Sequence, residues 1–261
     1  MATVIKRNSW VIWKDVIFAL FVREIRTGFN DKFGISWAVA SPVVFIFVLS
    51  FIRGRLDGGE THTMPTFAFM VYGMVMIQLF LTMLNSCAKT IKKNKALFAF
   101  RQVQPISSWL ATTIFEALVK IVVLLVIWTV MFFLMIEIRL DNALLLIGNF
   151  VALAIFASSF GLLMALLRCY IPETEKLLNM ATRPLFFISG VFFSLQDVSP
   201  EYWQYLNWNP ILHAIELSRQ AAYGTFGAVG VSQKYLWLSA ITMLFFSLSC
   251  YRISWRKAIS R

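Results

Sequence analysis

Residues 33–52 read FGISWAVASPVVFIFVLSFI, twenty consecutive positions without an ionisable side chain. About 20 mostly apolar residues in a helix cross the ~30 Å hydrocarbon core of a bilayer. This stretch is long enough and bare enough to do so. Five further apolar runs follow, at 64–88, 109–136, 143–167, 177–196 and 235–251. A hydrophobic share of 59% and a mean hydropathy of +0.72 over 261 residues lie well above what a soluble domain carries. The expected fold is all-α and integral to a membrane, with six transmembrane helices in one domain covering 1–261. Residues 1–32 form an N-terminal interface piece and 33–196 hold spans one to five. Residues 197–234 do not span, 235–251 form span six, and 252–261 are a tail.

Threading the runs in order places both chain ends on one side. Seventeen of the 24 Lys and Arg residues fall there, in 1–32, 89–108, 168–176 and 252–261. Arg53, Arg55, Arg139, Arg219 and Lys234 fall opposite, and Lys120 and Arg183 lie within runs. Short loops rich in Lys and Arg stay in the cytoplasm, so both termini are expected there. The net charge of +11 is then juxtamembrane and meets anionic lipid. No folded basic domain exists to carry nucleic acid. No cleavable signal is expected, because no small-residue cleavage site follows a short apolar core in residues 1–32. Cys87, Cys169 and Cys250 sit near the reducing side and read as free thiols whose spacing fits no metal cluster.

Between the runs, Trp10, Trp13, Ile17 and Leu20 recur at steps of three and four, with Ser9 as a candidate cap. They predict a helix over 9–26 along the inner surface, as an anchor or as a cuff around an entrance. Lys89, Lys92, Lys93, Lys95 and Arg101 surround the apolar Ala96–Phe100. Such an exposed patch needs a protein groove or a lipid surface. Glu116 and Lys120 share one helical face, as a local pair or as the lining of a cavity mouth. Arg183 stands ~9 Å inside its run beside the helix-loosening Pro184, snorkelling or functional. The polar, aromatic stretch 197–234 signals two short helices, capped at Ser199-Pro200 and Asn209-Pro210, the second ending near Gly224. Its face of His213, Glu216, Arg219 and Gln220 can pair internally. Backbone dipping into lipid must be buried in protein or line a wet path.

Several stretches resemble one family. Val22–Phe29, Gly34–Ala38 and Pro42 resemble the start of ABC-2 type polysaccharide exporter permeases. Leu97–Pro105, Arg183–Phe193 and Trp208–Arg219 are similar to the capsular-polysaccharide, KpsM-like branch. The stretches lie in the family's order on the family's spans. Where O-antigen relatives often carry Arg-Asp after the fourth span, this chain has Arg168-Cys169, which favours the capsule branch.

The resemblance implies a homodimer of six-span subunits with two cytoplasmic ABC ATPase subunits docked beneath. ATP and Mg would be held by that partner and no cofactor by this chain. The polymer, carrying a lipid terminus, would pass between the subunits. A periplasmic adaptor and an outer-membrane export protein would continue the route. Lys92, Lys93, Leu97, Phe98, Phe100 and Arg101 would form the coupling helix on the ATPase. Residues 198–224 would form re-entrant gate helices. Arg26, Lys32, Arg101 and Arg183 are candidates for holding a lipid phosphate at the inner mouth. Phe186, Phe187, Trp203, Tyr205, Trp208, Glu216 and Arg219 are candidates for the channel or gate, the aromatics as sliding faces for sugars or as an interfacial belt.

No G-x-x-x-x-G-K-[ST] run occurs, so the energy must come from elsewhere. Deep carboxylates of an ion-coupled carrier are lacking apart from Glu116. A membrane-embedded enzyme would need an acid/base or metal set. The two histidines, His62 and His213, supply none, so catalytic residues are expected to be absent. The reading is an export permease of the bacterial inner membrane. Its alternatives are an ABC-2 permease for an O-antigen or teichoic-acid type polymer, or for a small drug or lipid.

Overall fold

The computed structural model describes residues 8–28, 34–56, 59–100 and 102–260. Lys32 and Arg101, both named above as candidates, lie outside them, as does the side chain of Ser9. The chain forms α1 (Ser9–Gly28), α2 (Gly34–Leu56), a two-residue hairpin pairing Glu60–Thr61 with Met64–Pro65, α3 (Thr66–Lys93), α4 (Pro105–Phe133), α5 (Ala143–Tyr170), α6 (Thr174–Ile188), α7 (Trp203–Leu206), α8 (Pro210–Ala222) and α9 (Gln233–Ser260).

Among the described residues, α2, α3, α4, α5 and α9 are long and apolar enough to cross a membrane. They overlap five of the six predicted runs. The fifth run differs. Its helix, α6, has 15 residues, or ~22 Å at 1.5 Å per residue, and ends at Ile188 rather than 196. The cause is local. Ser189 turns its hydroxyl back to the Leu185 carbonyl at 2.6 Å, and Gly190 takes φ +74°, open to glycine at little cost. The backbone then runs on irregularly to Leu195, buried except at Phe192 and Phe193, which are half-buried.

α3 is the centre of the bundle, with α5, α4 and α2 packed around it; α9 packs on α5. α5 approaches α3 closely at a glycine. A Cβ on Gly161 would lie 2.5 Å from Cys87 Cβ and 3.0 Å from the Leu84 carbonyl. α6 sits at the edge and buries only Leu178 and Thr182. The helix α1 covers Ser9–Gly28 and packs chiefly on α4. The bundle thus has two ends. One carries α1 and the 94–104 connection. The far end carries the hairpin, the 134–142 connection and everything from 189 to 232.

Candidate functional site

At the α1 end, α1 is fastened to the end of α3. Arg23 donates to Asn94 Oδ1, and Lys93 to Glu24 Oε2. Glu24 is buried although Lys93 is exposed, so the contact is held on α1's inner side. Immediately beyond lies Lys95–Ala99, a single 3₁₀ segment. Five residues are too few to propagate an α-helix, and Pro105 restarts one. Its aromatics divide. Phe98 packs on the small cluster of Ile91, Ala165, Leu166 and Ala258, whereas Phe100 is 64% exposed. Leu97 is half-buried, and Lys92 ends α3 exposed together with Lys93. Arg26 stands exposed in the last turn of α1.

Between α2, α3 and α4 runs a groove of about 590 Å³. Gln78, Thr82, Asn85 and Ser86 of α3 line it, with Glu116 and Lys120 of α4 and Trp37, Ser41 and Phe45 of α2. Glu116 and Lys120 do share a face, but they pair with α3 rather than with each other. Ser86 donates to Glu116 Oε1 at 2.5 Å, and Lys120 Nζ lies 3.5 Å from Gln78 Oε1. A second hollow of about 360 Å³ shares Ser86 and Glu116 and opens among Glu24, Lys89 and Lys93 at the α1 end. The sequence reading missed the α3 stripe. Its signal was available: Gln78, Thr82, Asn85 and Lys89 recur at steps of four, three and four in an otherwise apolar helix.

At the far end, α8 begins as predicted, with Asn209 Oδ1 accepting from the Ile211 N–H at 3.0 Å. Ser199 makes no side-chain cap; the first predicted helix is a 3₁₀ turn followed by the single turn α7. Glu216 and Arg219 pair at 2.9 Å and are both 0% exposed. Arg219 also donates to the carbonyls of Gly190 (2.8 Å), Val191 (2.8 Å), Phe193 (3.3 Å) and Phe69 (3.2 Å). A buried arginine is tolerable only when its donors are spent this way. Three of these carbonyls belong to the irregular backbone that follows α6, and the fourth belongs to the first turn of α3. Glu216 accepts from Ser194 Oγ at 2.9 Å, the Ser194 N–H donates to Asp197 Oδ2 at 2.8 Å, and Asp197 Oδ1 meets His62 of the hairpin at 2.8 Å. His62 and Asp197 were not singled out by sequence, because 135 positions separate them.

The remaining predicted residues are placed as follows. Phe186, Phe187 and Phe192 form a ring cluster with centroids 5.5–5.9 Å apart, Phe187 exposed. Trp203 is half-buried and donates to Leu195 and Val198 carbonyls. Tyr205 and Trp208 are exposed, and so is Arg183 on α6. His213 pairs with backbone rather than with Glu216. Its Nε2 meets the Asn207 carbonyl at 2.8 Å and its Nδ1 accepts from the Ser232 N–H at 2.9 Å. Burial pushes its pKa below the ordinary value. Burial likewise pushes the Tyr223 phenol up to about 12, and its hydroxyl donates to the Glu137 carbonyl. Among the described residues no three His, Cys, Asp or Glu side chains converge as a metal site requires.

Comparison with known proteins bears on this arrangement. Residues 15–223 match the family model described as ABC-2 type transporter. The polysialic acid transport protein KpsM of Escherichia coli is 32% identical over 250 residues, covering 94% of this chain and 96% of that protein. The capsule polysaccharide export inner-membrane protein CtrC of Neisseria meningitidis serogroup B is 25% identical, covering 93% and 92%. BexB of Haemophilus influenzae, also named a capsule polysaccharide export inner-membrane protein, is 23% identical with the same coverage.

Proposed function

Because this chain belongs to the ABC-2 type transporter family, we propose that it is the permease subunit of an ATP-driven exporter moving capsular polysaccharide across a bacterial inner membrane. The carrying observation is likeness to capsule-export permeases along nearly the whole length of both chains. The cargo is lipid-linked, and the conduit forms between two copies of the chain.

In this reading the α1 end faces the cytoplasm, which agrees with the positive charges gathered there. Two ATPase subunits bind the 95–101 segment, for which exposed Phe100 offers an apolar contact. The fasteners Arg23–Asn94 and Glu24–Lys93 would then make α1 and the docking segment move together. α6 and the irregular 189–194 together form the fifth of six spans. The non-helical part is allowed at that depth because Arg219 satisfies its carbonyls inside protein. α7 and α8 are the re-entrant helices, and the exposed Tyr205, Trp208 and Phe187 face the sugar path or the lipid boundary. Arg26, Lys32, Arg101 and Arg183 remain the candidates for the lipid phosphate. Beyond the membrane a periplasmic adaptor and an outer-membrane protein take the polymer onward.

The test is replacement of the permease in a capsule-negative strain that retains every other export component. Surface polymer should return. Permease present in the membrane with no surface polymer would overturn the assignment and favour another ABC-2 cargo, such as a drug or lipid.

A further inference from the structure

The groove between α2, α3 and α4 has a property that polymer export does not call for. Lys120 is 3% exposed, yet its ammonium has three donors and one side-chain acceptor in reach, at the 3.5 Å limit. A buried cation is costly unless paired. Glu116, one turn away on the same wall, has one oxygen engaged by Ser86. Among the described residues the two do not form an ion pair with each other. The groove therefore presents a cation and an anion side by side, about 6 Å apart along the α4 axis, with no net charge on its walls.

Its shape adds a direction. An apolar hollow of about 330 Å³ shares Trp37, Ser41 and Phe45 with the groove and continues along α2 to Val44 and Val48, away from the α1 end. Polar walls opening into an apolar slot fit an amphipath. The order of charges fits one kind. In a lipid of the leaflet at the α1 end, the amine lies on the water side of the phosphate. Glu116 lies one turn nearer that end than Lys120.

We infer that this groove binds a zwitterionic aminophospholipid, its phosphate on Lys120, its ammonium on Glu116 and one acyl chain along Val44 and Val48. Gln78 and Asn85 offer amide donors to the phosphate esters. An anionic headgroup would meet Lys120 equally well but would leave Glu116 facing negative charge. A free phosphate would leave the apolar slot open. The site is independent of the exported cargo and follows from the groove alone.

The full chain, purified in mild detergent from membranes holding phosphatidylethanolamine and phosphatidylglycerol, should retain the former preferentially in native mass spectrometry. Lys120→Met should lower that retention roughly tenfold, the loss of a charge-assisted contact, and Lys120→Arg should restore most of it. Glu116→Gln should abolish the preference between the two lipids. Should Lys120→Met not fold, Val48→Trp, which fills the slot, should lower retention similarly. Glycerophosphoethanolamine and inorganic phosphate, which lack chains, should not displace the lipid. Equal retention of both lipids by the unaltered chain, unchanged retention in the folded Lys120→Met or Val48→Trp variant, or displacement by free phosphate would each overturn the inference. Surface polymer plays no part in this readout, so failure here and failure of the export assignment are separate results.

Discussion

The guanidinium of Arg219 lies 3.4 Å from the centre of the Phe69 ring and donates to the carbonyl of the same residue. One side chain of α8 thereby grips the start of α3 by face and by backbone, while its other donors hold the irregular 190–193 backbone. Three separate pieces of chain meet on one cation. Cation–π contact at a desolvated site is worth ~2 kcal/mol, and the hydrogen bonds remove the cost of burial. Removing the arginine alone strands Glu216 as an unpaired buried charge, at about 3–5 kcal/mol. Arg219→Met should thus lower the melting temperature and membrane abundance sharply, and Glu216→Gln added to it should recover part of the loss. Gly73→Ala tests the same contact from α3, since its Cβ would fall 2.7 Å from Arg219 Nη2 and 3.2 Å from the Val191 carbonyl. Thermal unfolding in detergent reads both. Unchanged stability in Arg219→Met would contradict the role.

Phe98 and Phe100 stand two residues apart but should respond differently. Phe100→Asp alters an exposed side chain and should release the ATPase in a pull-down while the fold keeps its stability to within about 0.5 kcal/mol. Phe98→Asp places a charge against Ile91, Leu166 and Ala258 and should itself destabilise, by roughly 2–4 kcal/mol. A pull-down paired with a melting curve separates the two effects.

Glu24 and Lys93 join α1 to the end of α3. Glu24→Gln should keep the neutral hydrogen bond but weaken the joint by about 1 kcal/mol. Glu24→Ala should lose it. If the joint carries motion, Glu24→Ala should leave ATPase binding intact and reduce export several-fold per ATP hydrolysed. Export and hydrolysis falling in equal proportion would assign the pair to stability alone.

His213 gives a pH dependence. Its two partners, a carbonyl at Nε2 and an N–H at Nδ1, require the neutral ring with the proton on Nε2. Burial holds the folded pKa below the ordinary 6.5. As pH falls below 6.5 the unfolded chain therefore takes up a proton before the folded chain does. Stability is intact above that value and declines as pH drops toward the folded pKa. Melting temperatures between pH 7.5 and roughly pH 5 should show the decline, and His213→Gln should remove this component. A wild-type curve that rises on acidification would contradict the assignment.

Legibility from sequence followed the range of the interactions. The five long helices were readable because hydrocarbon length is a local property of each run. The Asn209 cap was readable because its hydrogen bond spans two residues. The end of α6 was not, since Gly190 and Phe193 sit in an apolar run and their carbonyls leave the helix for Arg219, 26 to 29 positions away. The pairing of Glu116 with Ser86, 30 positions distant, depended on how α3 faces α4. The polar stripe of α3 was locally visible as a periodicity, but hydropathy averaged over a window hides a few amides among methionines and phenylalanines. Burial of Phe98 and exposure of Phe100 depended on which side of this segment meets α5 and α9, which no local pattern states.

The most direct test of the central claim is transfer of lipid-linked polymer into inverted membrane vesicles carrying this permease with its partner ATPase. Polymer should become protected inside the vesicles when ATP is hydrolysed. Protection should be absent with the permease alone or with a hydrolysis-deficient ATPase. Transfer by the permease alone, or transfer indifferent to ATP, would contradict the account.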